Sequence, residues 1–370
     1  LKTVIASDSF KGSLTSYEVG VAICKGILAA APGADVIVRE VADGGEGTSG
    51  IVTRACGGEM QSVTVSGPLP DQTVQASYGI INDGKTAVID ISETCGLTLV
   101  PGDKRDPLYT TTRGVGELIL DALDKGCRKF IIGLGGSATN DCGAGMLQVL
   151  GMRLTDQDGH DILPGAVGLS ELESIDESYL DPRIRESEFL VACDVKNPLT
   201  GSNGCSFVYA PQKGADERSC ELMDGWISSF AKKAGKDGDF EGAGAAGGLG
   251  FAFAAVLSGK LVSGAELVIS HTHLEECMEG SDIVITGEGK VDRQTAMGKI
   301  PAVVAGLAGK HGCRVIVFAG KVECDEETLS RCGIDEVYSI SEGISEEESV
   351  ARAAELLTAK AKEVFDGRSV

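Results

Sequence analysis

Strand-like apolar runs and amphipathic helix patterns alternate at both ends of this chain and stop alternating in its middle. At the start, TVIASDS reads as a strand, TSYEVGVAICKGILAA as an amphipathic helix, DVIVREV as a second strand and GTSGIVTRACGG as a short helix. The C-terminal end repeats the pattern through SDIVITGEG, GKIPAVVAGLAGKHG, RVIVFAG, EETLSRCG, DEVYSI and a long closing helix in SEEESVARAAELLTAKAKEVF. Between them QSVTVSG, TVQASYGII and TAVIDIS follow one another with only turns between, as antiparallel strands do. The middle continues with the helix TTTRGVGELILDALDKG, the strands KFIIGLGG and EFLVACDV, a helix around Glu217 to Lys233, and EGAGAAGGLGFAFAAVLSG, whose composition suits close helix packing.

Strands alternating with helices build a parallel sheet, so the two ends belong to one layered domain and the middle to another. The predicted architecture is α/β with two domains. A doubly wound, Rossmann- or flavodoxin-like domain comes from residues 1–60 and 280–370, an α+β domain is inserted over residues 61–279, and the active site is expected in the cleft between them. A chain of 370 residues is long enough to divide, because single cores stop growing at about 250 to 300 residues.

The formal charge of −22, from 55 acidic against 33 basic residues, repels nucleic-acid backbones and anionic lipid alike. Neither nucleic acid nor a membrane is an expected partner, and no apolar run approaches the ~20 residues that span a bilayer. The same field repels a small anionic substrate, so an anion site must be local: a Lys, an Arg or a helix N-terminus. LKTVIASDS enters a β-like run without the pattern of a secretory signal. The twelve cysteines include no C-x-x-C, the closest two being Cys324 and Cys332. Reduced, buried thiols in a cytoplasmic protein are expected, with no zinc site.

Two motif matches fail on context. Gly79 to Thr86, GIINDGKT, fits the phosphate-binding pattern G-x-x-x-x-G-K-[ST], but a P-loop needs a following helix, and β-like runs flank Asn82-Asp83-Gly84 on both sides, which predicts a hairpin. Gly133 to Ala138, GLGGSA, fits G-x-G-x-x-[GA], yet the residues after Gly151 offer no buried strand ending in an acid for a nucleotide ribose.

Five loops share another logic: each begins where an apolar strand ends and is rich in Gly, carboxylate, and hydroxyl or cation. SDSFKGS carries Asp8, Ser9, Lys11, Gly12 and Ser13 ahead of a helix whose N-cap is Ser13 or Thr15. VADGGEGT carries Asp43, Gly44, Gly45 and Glu46, and GGSATND carries Gly135, Gly136, Ser137, Asn140 and Asp141. ACDVKNPL carries Asp194, Lys196 and Asn197, and GEGKVDRQT carries Gly287, Glu288, Gly289, Lys290, Asp292 and Arg293. Glycine lets backbone approach a ligand, carboxylates hold Mg²⁺ or accept a proton, and cations neutralise phosphoryl oxygens. These are the parts of phosphoryl transfer. Any one such loop also serves as an ordinary cap or turn, so it is their number that carries the reading. The histidines, His160, His271, His273 and His311, stand in no recognisable carboxylate or thiol constellation.

VIASDSFKGSLTS, VADGGEGT, GLGGSATNDCGAGMLQVLG, CDVKNPLTGSNGCSFVYAPQKGA, EGAGAAGGLGF and VITGEGKVDRQTAMGKIP, in this order along essentially the whole chain, closely resemble the type 1 glycerate kinase family. Lys290, where Arg is also expected, and Ala296-Met297 are small departures. The resemblance implies an ATP-dependent enzyme that phosphorylates D-glycerate, typically at the 2-hydroxyl to give 2-phosphoglycerate, with Mg²⁺ and two α/β domains flanking a cleft.

For that substrate, Lys11, Lys290 and Arg293 are the candidate charge-neutralising groups, Asp194 or Asp292 the candidate base, and Asp8, Asp43, Glu46 and Glu288 compete for Mg²⁺. The expected catalytic set is thus Lys11, Lys290, Asp194 and Asp292, and the remaining glycines, hydroxyls and amides of the five loops are expected to bind substrate or nucleotide. Three other readings compete: the same kinase giving 3-phosphoglycerate, a non-catalytic two-domain solute binder, and an NAD-dependent hydroxy-acid oxidoreductase. The sequence does not reveal the oligomeric state and leaves a homo-oligomer open.

Overall fold

The computed structural model describes residues 1–293, 295 and 298–367, so Ala296 and Met297 lie outside the described residues. Contacts gather the chain into two compact units, Leu1–Asp43 with Ala265–Val370, and Gly44–Gly264.

In the terminal unit five strands form a wholly parallel sheet in the order Glu336–Ser339, Arg314–Val322, Ile283–Val291, Lys2–Ile5, Asp35–Val38. Near-continuous apolar runs are what two buried faces require. Successive residues serve opposite faces. Val4, Val284, Val315 and Val317 join Ile300 and Val304 of the helix Ile300–Lys310. Ile5, Ile285, Ile316 and Phe318 join Val19, Ile23 and Ile27 of the helix Ser16–Ala30, with Leu357 and Phe365 of the helix Ala353–Phe365.

Thr15, not Ser13, caps Ser16–Ala30: its hydroxyl accepts from Glu18 N at 3.3 Å while Glu18 Oε2 accepts from Thr15 N at 2.9 Å, closing a capping box. Gly26 lets that helix meet the closing one, since a Cβ there would lie 2.4 Å from Thr358 O. The closing segment is two helices, Glu346–Ala351 and Ala353–Phe365, because the backbone at Arg352 (φ −113°) leaves helical geometry.

The central unit holds a six-stranded mixed sheet in the order Lys260–Val262, Glu188–Ala192, Lys129–Gly133, Thr86–Asp90, Thr73–Ile81, Glu59–Ser66. The last three run antiparallel, as their sequence patterns predict, and the remaining pairs are parallel. The helix Arg113–Asp124 connects Thr86–Asp90 to Lys129–Gly133 and buries Val115, Leu118 and Ile119 with Ile89, Phe130 and Ile132. An α+β label therefore covers only the first part of the insert; its later strands are built by the same strand–helix alternation as the chain ends.

The unit limits also differ from the sequence pattern. The helix Thr48–Ala55 packs on Thr73–Ile81 and Thr86–Asp90, so it belongs with the central sheet although residues 1–60 read as terminal. Ala265, Ile269, Leu274 and Met278 join the terminal core although residues up to 279 read as central.

GIINDGKT forms the predicted hairpin, with Ile81 opposite Thr86 and Asn82, Asp83 and Gly84 at positive φ. A Cβ on Gly79 would lie 1.6 Å from Thr53 Oγ1, so the first glycine of the P-loop look-alike serves helix packing. All twelve cysteines are free. Among the described residues no helix is long and apolar enough to cross a membrane.

Candidate active site

Sheet order fixes where a site can form in the terminal unit. Numbered along the chain, its strands lie as 2-1-3-4-5, so the winding reverses between Lys2–Ile5 and Ile283–Val291, and ligands bind beyond the carboxyl ends of strands at such a reversal. Backbone pairing continues past the first strand, with Ala6 N donating to Ile285 O at 2.7 Å and Asp8 N to Gly287 O at 2.9 Å. Asp8 and Glu288 thus follow on the two segments that flank the reversal. A cavity of about 830 Å³ lies there, and Asp8, Lys11, Asp43, Glu288, Lys290 and Lys299 are in its wall.

Two carboxylates in that wall are strained by burial. Asp8 is 7% exposed and Glu288 6%. Burial first, and the negative charge of Asp43 second, lift Asp8 to about 7, although Ser9 N donates to its Oδ1 at 2.8 Å. Burial also lifts Glu288, against a hydrogen bond from the Thr295 hydroxyl and the Lys299 ammonium 3.7 Å away. Lys11 Nζ pairs with Asp43 Oδ2 at 2.9 Å. Lys290 pairs with Glu323 at 2.7 Å and, with Lys321, holds that carboxyl down at about 2.

The other predicted residues of this unit divide. Ser9, Ser13 and Gly289 line the cavity, and Gly12 (φ 79°) takes the turn beside Lys11. Gly287 serves the sheet instead, because a Cβ there would lie 2.1 Å from Phe318 O. Asp292 and Arg293 are absent from the lining; Asp292 N donates to Thr295 Oγ1 at 2.9 Å, and the exposed Arg293 bears on Asp325. Lys299 and Lys321 were not singled out from the sequence. Lys321 ends the apolar run RVIVFAG by the same signal as the five loops, whereas Lys299 precedes a helix and carries no such mark.

The donor set suits Mg²⁺, a hard cation that takes one or two carboxylates and keeps water and phosphate oxygens as its other ligands. Asp8 and Glu288 are nearly buried and repel each other, a condition a cation relieves. Asp8, Asp43 and Glu288 do not bring three ligand atoms within 4.8 Å of one another; among the described residues that closeness belongs to a carboxylate oxygen each from Asp156 and Asp158 and a ring nitrogen of His160, at a surface turn.

In the central unit the predicted loops mostly hold one another. A Cβ on Gly44 (φ 84°) would lie 2.6 Å from Ala192 Cβ, and one on Gly135 would lie 2.6 Å from Gly45 Cα, so these glycines let strand ends interlock. Asp90, missed from the sequence although it ends a strand, is buried and accepts from Gly47 N at 3.0 Å and from the Ser49 hydroxyl at 2.9 Å, anchoring the start of Thr48–Ala55. Asp141 is wholly buried, and its oxygens accept from Thr112 N, the Thr112 hydroxyl, Gly143 N and Gly145 N at 2.9 to 3.2 Å. It caps a turn.

Asn140 is also wholly buried and donates to Ser206 Oγ at 2.9 Å. Asn197 donates to Asn203 O at 2.9 Å and accepts from the Tyr209 hydroxyl at 2.6 Å, which braces its loop. Asp194 is exposed and accepts from Gly264 N at 2.9 Å, and Glu46 is exposed outside the terminal cavity. Ser137, next to Gly136 (φ 75°), accepts from the buried Lys213 at 2.8 Å.

A family profile described as Glycerate kinase family matches residues 3–367. Glycerate kinase of Bacillus subtilis (strain 168) is 46% identical over 370 aligned residues, covering 98% of this chain and 97% of that protein. Glycerate 2-kinase of Escherichia coli (strain K12) is 46% identical, covering 96% of this chain and 94% of its own. The crystal structure of a candidate glycerate kinase 2 from Salmonella typhimurium LT2 superposes with a TM-score of 0.84 at 43% identity, covering 99% and 97% of the two chains. Likeness in sequence and fold over the full length leaves one conclusion: the chain belongs to the glycerate kinase family.

Proposed function

We propose that this chain transfers the γ-phosphoryl group of ATP to the 2-hydroxyl of D-glycerate, giving ADP and 2-phosphoglycerate, with Mg²⁺. The observation that carries this is the pair of buried carboxylates, Asp8 and Glu288, at the winding reversal of the terminal sheet, with Lys11, Lys290 and Lys299 around the same cavity. The 2-hydroxyl is supported by the Escherichia coli relative, a glycerate 2-kinase. The terminal unit is read as a doubly wound, flavodoxin-like domain, supported by its strand order and by helices on both faces. Its limits fall near residues 43 and 265.

Each residue's task follows from its chemistry. Asp8 accepts the hydroxyl proton, because a base whose pKa lies near the working pH does this best. It takes the role that the sequence offered to Asp194 or Asp292, the first exposed and bound to Gly264 N, the second off the cavity wall. Mg²⁺, when bound, neutralises phosphate charge and helps orient the transferring group, and Glu288 and Asp43 are the carboxylates that would hold it. Lys11, Lys290 and Lys299 offset the acidic field locally, so that a polyanion is admitted to a chain of net charge −22. A cytoplasmic location belongs to the same reading and is supported by the free thiols.

The test is ADP formation in a coupled assay. ADP that appears only when MgATP and D-glycerate are both present supports the kinase. Saturable glycerate binding without ADP, or reduction of NAD by glycerate, contradicts it.

A further inference from the structure

The cavity of the terminal unit changes character along the sheet. Its lysines go with the inner strands: Lys11 follows Lys2–Ile5, Lys290 lies in Ile283–Val291 with Lys299 after it, and Lys321 lies in Arg314–Val322. The edge strand Glu336–Ser339 and the segment after it add no cation to the wall. They add hydroxyls, carboxylates and an apolar surface, among them Ser341, Glu342, Ile344, Ser349 and Val350. Two strand spacings of about 4.8 Å separate this edge strand from Ile283–Val291, so the cation-free end lies roughly 10 Å along the sheet from the winding reversal.

That end has unused bonding capacity. Among the described residues Glu342, exposed in the turn after the strand, has no hydrogen-bond or ion-pair partner, whereas Glu346 already bears on Lys290. Ser349 is 8% exposed, and its hydroxyl meets that of Ser341 at 2.5 Å. Each hydroxyl carries one hydrogen. One is shared within the pair, and the other has no acceptor among the described residues. The wall around them is fixed, since Ser339 Oγ donates to Gly320 O at 3.0 Å and Ser13 Oγ donates to Val350 O at 2.7 Å.

We infer that the nucleoside of the phosphoryl donor lies at this end, its ribose diol donating to Glu342 and accepting from the Ser341–Ser349 pair, and its base resting on Ile344 and Val350. This rests on the kinase reading above. Phosphates are drawn to the lysines and repelled by Glu342, which sets the direction of the bound nucleotide along the sheet. A diol carries no charge for the acid to repel, and each of its hydroxyls both donates and accepts. A hydroxyl donating to a carboxylate makes a charge-assisted bond. The base removes apolar surface from water at Val350, which is 43% exposed. Glu342 is a specificity-determining residue for the donor nucleotide and takes no part in the transfer itself.

The experiment is steady-state kinetics of the whole enzyme with D-glycerate and either MgATP or Mg-2′-deoxy-ATP, for wild type, Glu342→Ala and Val350→Asp. Both side chains are exposed, so neither substitution disturbs the core. Loss of a hydrogen bond to a charged group is worth about tenfold or more, so the wild-type KM for 2′-deoxy-ATP exceeds that for ATP by about this factor. Glu342→Ala raises the KM for ATP about 10- to 100-fold, brings the two nucleotides within about threefold of each other, and leaves the KM for D-glycerate unchanged. Val350→Asp raises the KM for both nucleotides together and keeps their ratio. A wild type that does not distinguish the two nucleotides, a Glu342→Ala that keeps the wild-type KM for ATP or the wild-type ratio, or a Val350→Asp with both constants unchanged overturns the assignment while leaving the kinase reading intact. A wild-type enzyme that makes no ADP with D-glycerate overturns the kinase reading and the assignment with it.

Discussion

Asp8→Asn separates what the terminal cavity does for stability from what it does for catalysis. Asn has the shape of Asp, and its Oδ1 can still accept from Ser9 N, now 2.8 Å from the carboxylate. What disappears is a buried negative charge. Asp8 rises from 3.8 to about 7 on folding, which at about 1.4 kcal/mol per pH unit makes its ionisation in the folded protein cost up to about 4 kcal/mol relative to the unfolded chain. An acid whose pKa is raised holds its proton more tightly when folded, so the cost is absent below about 3.8, grows as pH rises, and is complete above about 7.

Urea unfolding near pH 8 should therefore show Asp8→Asn more stable than wild type by up to about 4 kcal/mol, and the gain should vanish near pH 4. Turnover of D-glycerate by the same variant should fall about 10²- to 10⁴-fold, the usual contribution of a general base. A variant that keeps turnover within about threefold of wild type, or that is less stable near pH 8, rules out Asp8 as the strained base.

Two further substitutions probe the metal side and the backbone. Glu288→Gln should raise the Mg²⁺ concentration for half-maximal activity on the order of tenfold or more, read from a Mg²⁺ titration of ADP formation; an unchanged titration removes Glu288 from the metal. Gly44→Ala combines positive φ with a Cβ 2.6 Å from Ala192 Cβ and should cost more than about 2 kcal/mol, whereas Gly12→Ala, also at positive φ but with nothing within 4 Å, should cost about 1 kcal/mol. Thermal unfolding that ranks the two the other way contradicts the packing described for the strand ends.

The sequence revealed the terminal sheet because its strands are apolar on both faces and separated by helices, and it revealed the hairpin at Asn82-Asp83-Gly84 because β-like runs lie on either side. It could not show which sheet Thr48–Ala55 covers. Periodicity identifies a helix's apolar face but not its partner, and the fit of Thr53 over Gly79 exists only in the folded chain.

The same limit shaped the site. Asp8, Lys11, Asp43, Glu288 and Lys290 were readable as charged groups at strand ends, and they do share one cavity. Asp141 and Asn197 carry the same signal, yet their polar atoms are committed to the fold, and residue type alone does not distinguish an occupied carboxylate or amide from a free one. Lys213 lies in a helical turn away from any strand end, so its burial against Ser137 emerges only from tertiary structure.

Proton-coupled phosphorus NMR of the product formed from MgATP and D-glycerate examines the proposed transfer and its position together. Transfer to the 2-hydroxyl gives a phosphomonoester signal split by the single proton on the adjacent carbon, a doublet. A triplet, from phosphate beside a methylene group, would move the transfer to the 3-hydroxyl, and the absence of any glycerate-dependent phosphomonoester would remove the kinase assignment altogether.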